Sequence, residues 1–294
     1  MTVPRLLLLA PLLAAGCGPR GPAPASNPHY VVGAAYQAGG VWRYPAEDFQ
    51  LDATGIAAVL PDRTGLTADG EAFDTSAMAA AHPTLQLPAV ARVTNLDTGL
   101  QALVRVNDRG PASPARLIGL TRAAASRLGI PVDGTARVRV QVESGPSQAL
   151  RDALGGGGAG TVAAAPRGAV SAESLAPPPG IGQSSRGRTA AGVMPAGVPT
   201  PAVDTVPDRL PDTVTRVAAA PGQLWIRAGE FGLRRYADQV GARLGGHAAV
   251  ETAQAGQGQV FRVRAGPYAD VDAADMALDR AVRAGVTDAR IIVE

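Results

Sequence analysis

Apolar and polar positions alternate along several short runs in the first half of the chain. These are Gly55-Ile-Ala-Ala-Val-Leu60, Ala89-Val-Ala-Arg-Val-Thr94, Leu100-Gln-Ala-Leu-Val-Arg-Val106 and Ala136-Arg-Val-Arg-Val-Gln-Val142. A period of two puts alternate side chains on one face, which predicts half-buried strands. Asn95-Leu-Asp-Thr-Gly99 separates two of the runs and reads as a hairpin loop. Thr121 to Leu128 predicts one short helix, with Thr121 as its cap and Gly129 as its stop. Short strands with a single helix, over roughly 110 residues, suggest a small closed barrel. In Val104-Arg-Val-Asn-Asp-Arg-Gly-Pro111 the strand is expected to run into a polar turn from Asn107 to Pro111. Such a turn places the Asp108 carboxylate at the rim of a sheet, within reach of a polymeric substrate. Taken alone, Asp108 reads first as a cap of that turn, and it is the other features of the chain that shift the balance towards chemistry.

The pattern changes towards the C-terminus. Leu224 to Phe231 reads as a strand and turn, and Leu233, Tyr236, Ala237, Val240 and Leu244 form a helical stripe ending at Gly245-Gly246. Val260 to Ala265 is a second strand. Asp270 caps a second helix carrying Ala274, Ala277, Leu278 and Ala281, and Ala289 to Val293 closes the sheet. The turns Ala228 to Phe231 and Ala265 to Tyr268 echo one another and suggest an internal repeat.

Two stretches carry neither period. Residues 17–29 are a Pro/Gly/Ala tether, and 144–221 contain Gly155-Gly-Gly-Gly158, Pro177-Pro-Pro179 and scattered Ser, Thr and Pro. That composition buries too little apolar area to order itself, so 144–221 is expected to be a disordered linker spanning roughly 45–50 Å. Among 294 residues, 36 glycines and 25 prolines are too many for one compact globule. The ordered pieces are therefore expected at 30–143 and 222–294.

Residues 1–16 read as an export signal: Arg5, an apolar run from Leu6 to Leu13, and small residues before Cys17. Cys17 is the only cysteine, so it has no disulfide partner within the chain. Leu-Ala-Ala-Gly-Cys resembles the lipobox of bacterial lipoproteins, which implies lipidation of Cys17 and an anchor that does not span the bilayer. Gly18 is not the aspartate that retains many lipoproteins in the inner membrane, so an outer-membrane location facing the periplasm is expected. The net charge of +2 is too balanced to imply a nucleic-acid partner. His29, His82 and His247 lie in separate segments without ligand-pair spacing, so neither a metal nor another cofactor is expected.

Further motifs follow in order: Tyr30-x-x-Gly33-x-x-Tyr36-x-x-Gly39-x-x-Trp42-x-Tyr44-Pro45, Thr54-Gly-Ile-Ala57, Thr67-Ala-Asp-Gly-Glu71-Ala-Phe-Asp74, Ala80-Ala-His82-x-Thr84-Leu-x-Leu-Pro88 and Val93-Thr-Asn-Leu96. With the Val104 to Pro111 stretch they resemble the rare lipoprotein A family over 30–143. The resemblance implies an all-β double-psi β-barrel, septal lytic transglycosylase activity on peptidoglycan, and functional roles for Asp108, Glu71 and His82. Asn107, Arg109 and Thr67 would contact substrate. Residues 222–294 resemble the SPOR domain, a small α+β (βαββαβ) module for glycan strands lacking stem peptides, although Arg227 stands where that family usually has glutamine. The implied partners are denuded peptidoglycan strands, the outer membrane through the lipid, and divisome proteins at the septum. Two positions depart from the first family. Ala58 to Leu66 is short and lacks the usual aromatic segment, and Gly119 replaces an aspartate. The first should weaken the hold on sugar.

Glycosidic cleavage needs an acid for the leaving oxygen and a base for the attacking hydroxyl. A lytic transglycosylase uses the C6 hydroxyl of the muramyl sugar itself, so one carboxylate can serve in turn as both. Asp108 is the candidate. Its pKa would have to be raised, with Glu71 the natural neighbour to do so, while His82 would hold a sugar hydroxyl or orient Asp108. A non-catalytic glycan-binding lipoprotein and a purely structural tether fit the same sequence.

Overall fold

The computed structural model describes residues 25–156, 209–246, 248–255 and 258–294. The expected export signal and Cys17, within residues 1–24, and residues 157–208 of the expected linker lie outside the described residues.

The strands, in chain order, are β1 (Tyr36–Ala38), β2 (Val41–Arg43), β3 (Asp52–Val59), β4 (Ala79–Ala81), β5 (Ala89–Asn95), β6 (Leu100–Asp108), β7 (Ile118–Leu120) and β8 (Thr135–Val142), with α1 (Arg122–Arg127) between β7 and β8. Hydrogen bonding runs in the order β4-β7-β3-β8-β5-β6, and β6 returns to pair with β4, closing a six-stranded double-psi barrel. Closure removes every free edge from the ring. β8 shows how the pattern encodes this: Ala136, Val138 and Val140 point inward and are buried, while Arg137 and Arg139 reach out to Asp97 and Asp52. Ile56, Leu85, Leu87, Ile118, Leu120 and Leu128 are fully buried. Each such side chain contributes roughly 1.5–3 kcal/mol by leaving water. Thr121 caps α1 by accepting from Ala124 N, and Gly129 follows at φ +72°, as expected.

Three boundaries differ from the sequence-based expectation. The polar turn does not begin at Asn107, because β6 continues through Asp108. The tether ends earlier than residue 29: Asn27 N donates to Gly70 O at 2.9 Å and His29 N to Asp69 O at 2.8 Å. The linker is shorter than 144–221 at both ends. Ser144–Ala153 forms α2, whose Ser147 Oγ accepts from Val90 N at 3.0 Å while Leu150 enters the barrel core. Beyond the undescribed stretch, Leu210 is buried in the same core, and β9 (Val214–Arg216) pairs with Leu100–Ala102 of β6. Backbone pairing and a few anchors, rather than a large apolar face, order these flanks.

The C-terminal unit comprises β10 (Leu224–Phe231), α3 (Arg234–Leu244), β11 (Ala248–Ala255), β12 (Gly258–Tyr268), α4 (Val271–Arg283) and β13 (Arg290–Val293). This is the expected βαββαβ order, with sheet order β11-β12-β10-β13. Asp270 caps α4 by accepting from Ala273 N at 2.8 Å. The echoing turns share backbone geometry as well as sequence, since Gly229 and Gly266 take φ +130° and +137°. The unit packs on the barrel. Arg116 makes a two-pronged ion pair with Asp275 at 2.8 and 2.7 Å, Thr54 Oγ1 donates to Val293 O at 2.8 Å, and barrel residues Ile56 and Ala115 enter the unit's core.

Candidate active site

The site grows from the turn Thr67-Ala-Asp-Gly-Glu71. Thr67 N donates to Glu71 O at 2.8 Å, closing the turn. Gly70 adopts φ +86°, and a Cβ there would fall 2.3 Å from Asn27 O. Only glycine lets residues 26–29 lie so close. β6 runs alongside, with Asp69 N donating to Asn107 O at 3.3 Å.

This turn holds several carboxyl groups, each differently. Glu71 Oε1 accepts from Arg105 Nε at 2.7 Å and Oε2 from Asn107 Nδ2 at 2.7 Å. Asp108 Oδ1 accepts from Ala68 N at 3.0 Å and from Arg109 N at 2.8 Å, and Oδ2 pairs with the Arg63 guanidinium. Glu71 is therefore an ionised carboxylate paired with Arg105, and donors surround Asp108. The perturbed carboxyl is Asp69, which the sequence did not single out. It is fully buried; Oδ1 accepts from Thr67 Oγ1 at 2.6 Å and from Glu71 N at 3.2 Å, while Oδ2 has no partner among the described residues. Burial pushes its pKa up to about 6, aided by the Glu71 charge and opposed by the Thr67 hydroxyl. An aspartate before glycine in a polar turn looks like an ordinary turn cap, so nothing in the sequence signalled its burial.

His82 is 3% exposed. Its Nδ1 accepts from Thr84 N at 3.2 Å and Leu85 N at 3.1 Å, which fixes the neutral ring with hydrogen on Nε2. Burial, and then the Arg109 and Arg43 charges, pull its pKa down to about 3. Its backbone meets Asp108, with His82 N donating to Asp108 O at 3.0 Å, but no hydrogen bond joins its ring to Asp108 among the described residues. Arg109 donates to the carbonyls of Val32 and Leu85, so it ties the N-terminal segment to the barrel. Thr67 and Asn107 are buried and position Asp69 and Glu71. Glu71, Arg105 and Asn107 line a pocket of about 230 Å³ with Phe73, Met78 and Leu210. The two departures noted in the sequence meet here. A Cβ at Gly119 would lie 2.4 Å from Leu60 Cδ2, so a side chain from the short 58–66 segment fills the space that a larger residue at 119 would need.

A six-stranded double-psi barrel with carboxylates gathered beside β6, joined to a βαββαβ module, defines a two-part class of protein, a carboxylate-bearing barrel with an appended α+β module. The family model described as "Lytic transglycolase" matches residues 52–140, and the SPOR domain model matches 220–291. The Escherichia coli K12 relative named "Endolytic peptidoglycan transglycosylase RlpA" is 32% identical over 259 residues, covering 73% of this chain and 71% of its own length. The chain belongs to the RlpA family. The Pseudomonas aeruginosa RlpA of strain UCBPP-PA14 is 43% identical over 119 residues, 40% of this chain and only 33% of that relative. A solved RlpA SPOR domain from Pseudomonas aeruginosa aligns over 24% of this chain and 99% of its own, at 21% identity and TM-score 0.23. The fold of the C-terminal unit rests on its own strand order.

Proposed function

We propose that this chain is a lytic transglycosylase that cuts the MurNAc–GlcNAc bonds of peptidoglycan strands stripped of stem peptides. The observation that carries this reading is the meeting of Asp69 and Glu71 of the 67–71 turn with Asp108 at the end of β6, whose carboxylate accepts from Ala68 N of that turn. Asp108 donates a proton to the glycosidic oxygen as the bond to C1 breaks. The C6 hydroxyl of the same muramyl sugar then attacks C1 and returns its proton to Asp108, leaving a 1,6-anhydro end. Glu71, fixed by Arg105 and Asn107, places negative charge near the oxocarbenium-like ring. Arg63 must leave Asp108 first; it belongs to the short 58–66 segment and rests over the Phe73 ring at 4.2 Å. Trp42 and Tyr44, 58% and 67% exposed, offer aromatic faces for sugar.

On this reading Cys17 carries the lipid that anchors the protein to the periplasmic face of the outer membrane. The C-terminal module brings it to stripped glycan at the septum, where it serves daughter-cell separation with divisome partners. The Arg63–Asp108 pair favours one alternative, a barrel that binds glycan without cutting it. Release of soluble glycan from amidase-treated wall separates the two: wild type should release it, and Asp108→Asn should not. A wild-type chain that binds wall and releases nothing would support the binding reading.

A further inference from the structure

A cavity of about 670 Å³ lies between the barrel and the C-terminal unit, with Arg43, His82 and Thr84 on one side and Arg227, Arg290 and Ile292 on the other. Most charges on its wall are matched: Arg139 by Asp52, Arg116 by Asp275, Arg227 by Glu230, and Glu294 by Arg264. Arg43 is not. Its Nε and Nη2 are buried with no hydrogen-bond partner among the described residues, and His82 Nε2 is in the same condition. Both residues line this one cavity.

Unpaired buried donors are costly, and buried polar groups in folded proteins nearly always have partners. Every orphaned atom here is a donor, because Nδ1 of His82 is spent on backbone amides and Nε2 carries the hydrogen. Desolvation already lowers the pKa of the Arg43 guanidinium, so its charge lacks compensation in this cavity. A planar guanidinium and an N–H in the wall of one cavity match a group with two acceptor oxygens and a negative charge, which is a carboxylate. The cavity also adjoins the candidate acid, since Ala81, next to His82, pairs with Asp108 across β4 and β6.

We propose that Arg43 and His82 form a subsite for the lactyl carboxylate of a muramyl residue whose stem peptide has been removed. In a peptide-bearing strand that carbonyl is an amide, which carries no charge and adds an N–H facing a cluster made only of donors. Removing the peptide frees the carboxylate that the subsite lacks. The barrel would then read the stripped state of the strand itself. Arg290, on the other side of the same cavity, supplies a second cation for another carboxylate along the strand. This inference rests on the proposed function for its substrate class.

The test uses the full chain with stripped glycan and with the same glycan after its carboxyls are converted to methylamides. Binding is measured by calorimetry and new chain ends by mass spectrometry. Wild type should bind the free-acid glycan roughly ten- to a hundredfold more tightly, the scale of hydrogen bonds to a charged group. Arg43→Gln should bring that ratio down to whatever the C-terminal module alone contributes, measured with the same glycans on a chain carrying both Arg43→Gln and Arg290→Gln, and Arg43→Lys should keep part of it. Arg43→Gln should melt no lower than wild type, because it removes an unmatched cation. Equal binding of both glycans by wild type, or full preference retained in Arg43→Gln, overturns the subsite even if strands are cut. An Arg43-dependent preference without cleavage upholds the subsite and overturns the catalytic reading. Binding to neither glycan overturns both.

Discussion

Asp69→Asn should stabilise the barrel at neutral pH, although Asp69 lies within the candidate site. Burial lifts this carboxyl from its ordinary 3.8 to about 6. A displacement of that size corresponds to roughly 3 kcal/mol between its two protonation states. Because the folded value is raised, the cost is absent below about pH 4, grows as pH rises through the interval to 6, and is complete above it. Asparagine keeps an oxygen for the Thr67 hydroxyl and Glu71 N but never ionises. Its amide nitrogen replaces the unpartnered Oδ2, so a desolvation cost of roughly 1–2 kcal/mol offsets part of the gain. The expected net gain at pH 7 is therefore about 1–2 kcal/mol, with little gain or a small loss at pH 4. Urea unfolding of both chains from pH 4 to 8 measures this, with Trp42 reporting on the barrel and Trp225 on the C-terminal unit. His82 titrates in both chains and cancels in the difference. A stability difference that does not change with pH, or that falls as pH rises, would refute a carboxyl raised by burial.

Other outcomes follow from single contacts. His82 has a depressed folded value, so its linked stability is present at pH 7 and is lost as pH falls from about 6.5 towards 3. His82→Gln should unfold more easily at pH 7, by about 1–2 kcal/mol for the lost Nδ1 contacts, yet lose less stability than wild type on acidification in thermal melts. Arg116→Ala should loosen the C-terminal unit from the barrel by about 1 kcal/mol, seen as faster proteolysis near 217–223 with both units still folded. Unchanged proteolysis would show that Thr54 and Ile56 hold the two together without it. Cys17→Ser should move the protein from the membrane to the soluble periplasmic fraction, and membrane retention would point to another anchor.

Much of the fold was legible because alternation marks strands with one wet face. β3, β5, β6 and β8 each lie within a few residues of the expected runs. β4 and β7 were not visible: each is three residues long and buried throughout, so no alternation exists to detect. α2 hides in a stretch of turn-forming composition, because Ser147 and Leu150 alone secure it to β5 and the core. β9 is held by backbone pairing with β6, which leaves no mark in side-chain pattern. Asp108 stood out because a carboxylate in a polar stretch at a strand end carries chemistry, whereas Glu71 and Asn107 came only from the family resemblance. Asp69 and Arg43 could not be picked out. Their distinction is a missing partner, and a missing partner is a property of packing that only the closed barrel and its docked neighbour create.

The central claim is that Asp108 drives an intramolecular cleavage, and the most direct test is to cut stripped glycan in ¹⁸O-labelled water and weigh the new ends. The account predicts 1,6-anhydro-muramyl ends, lighter by one water than reducing ends, carrying no label, and absent with Asp108→Asn. Reducing ends that carry ¹⁸O would show that water is the nucleophile, and would contradict it.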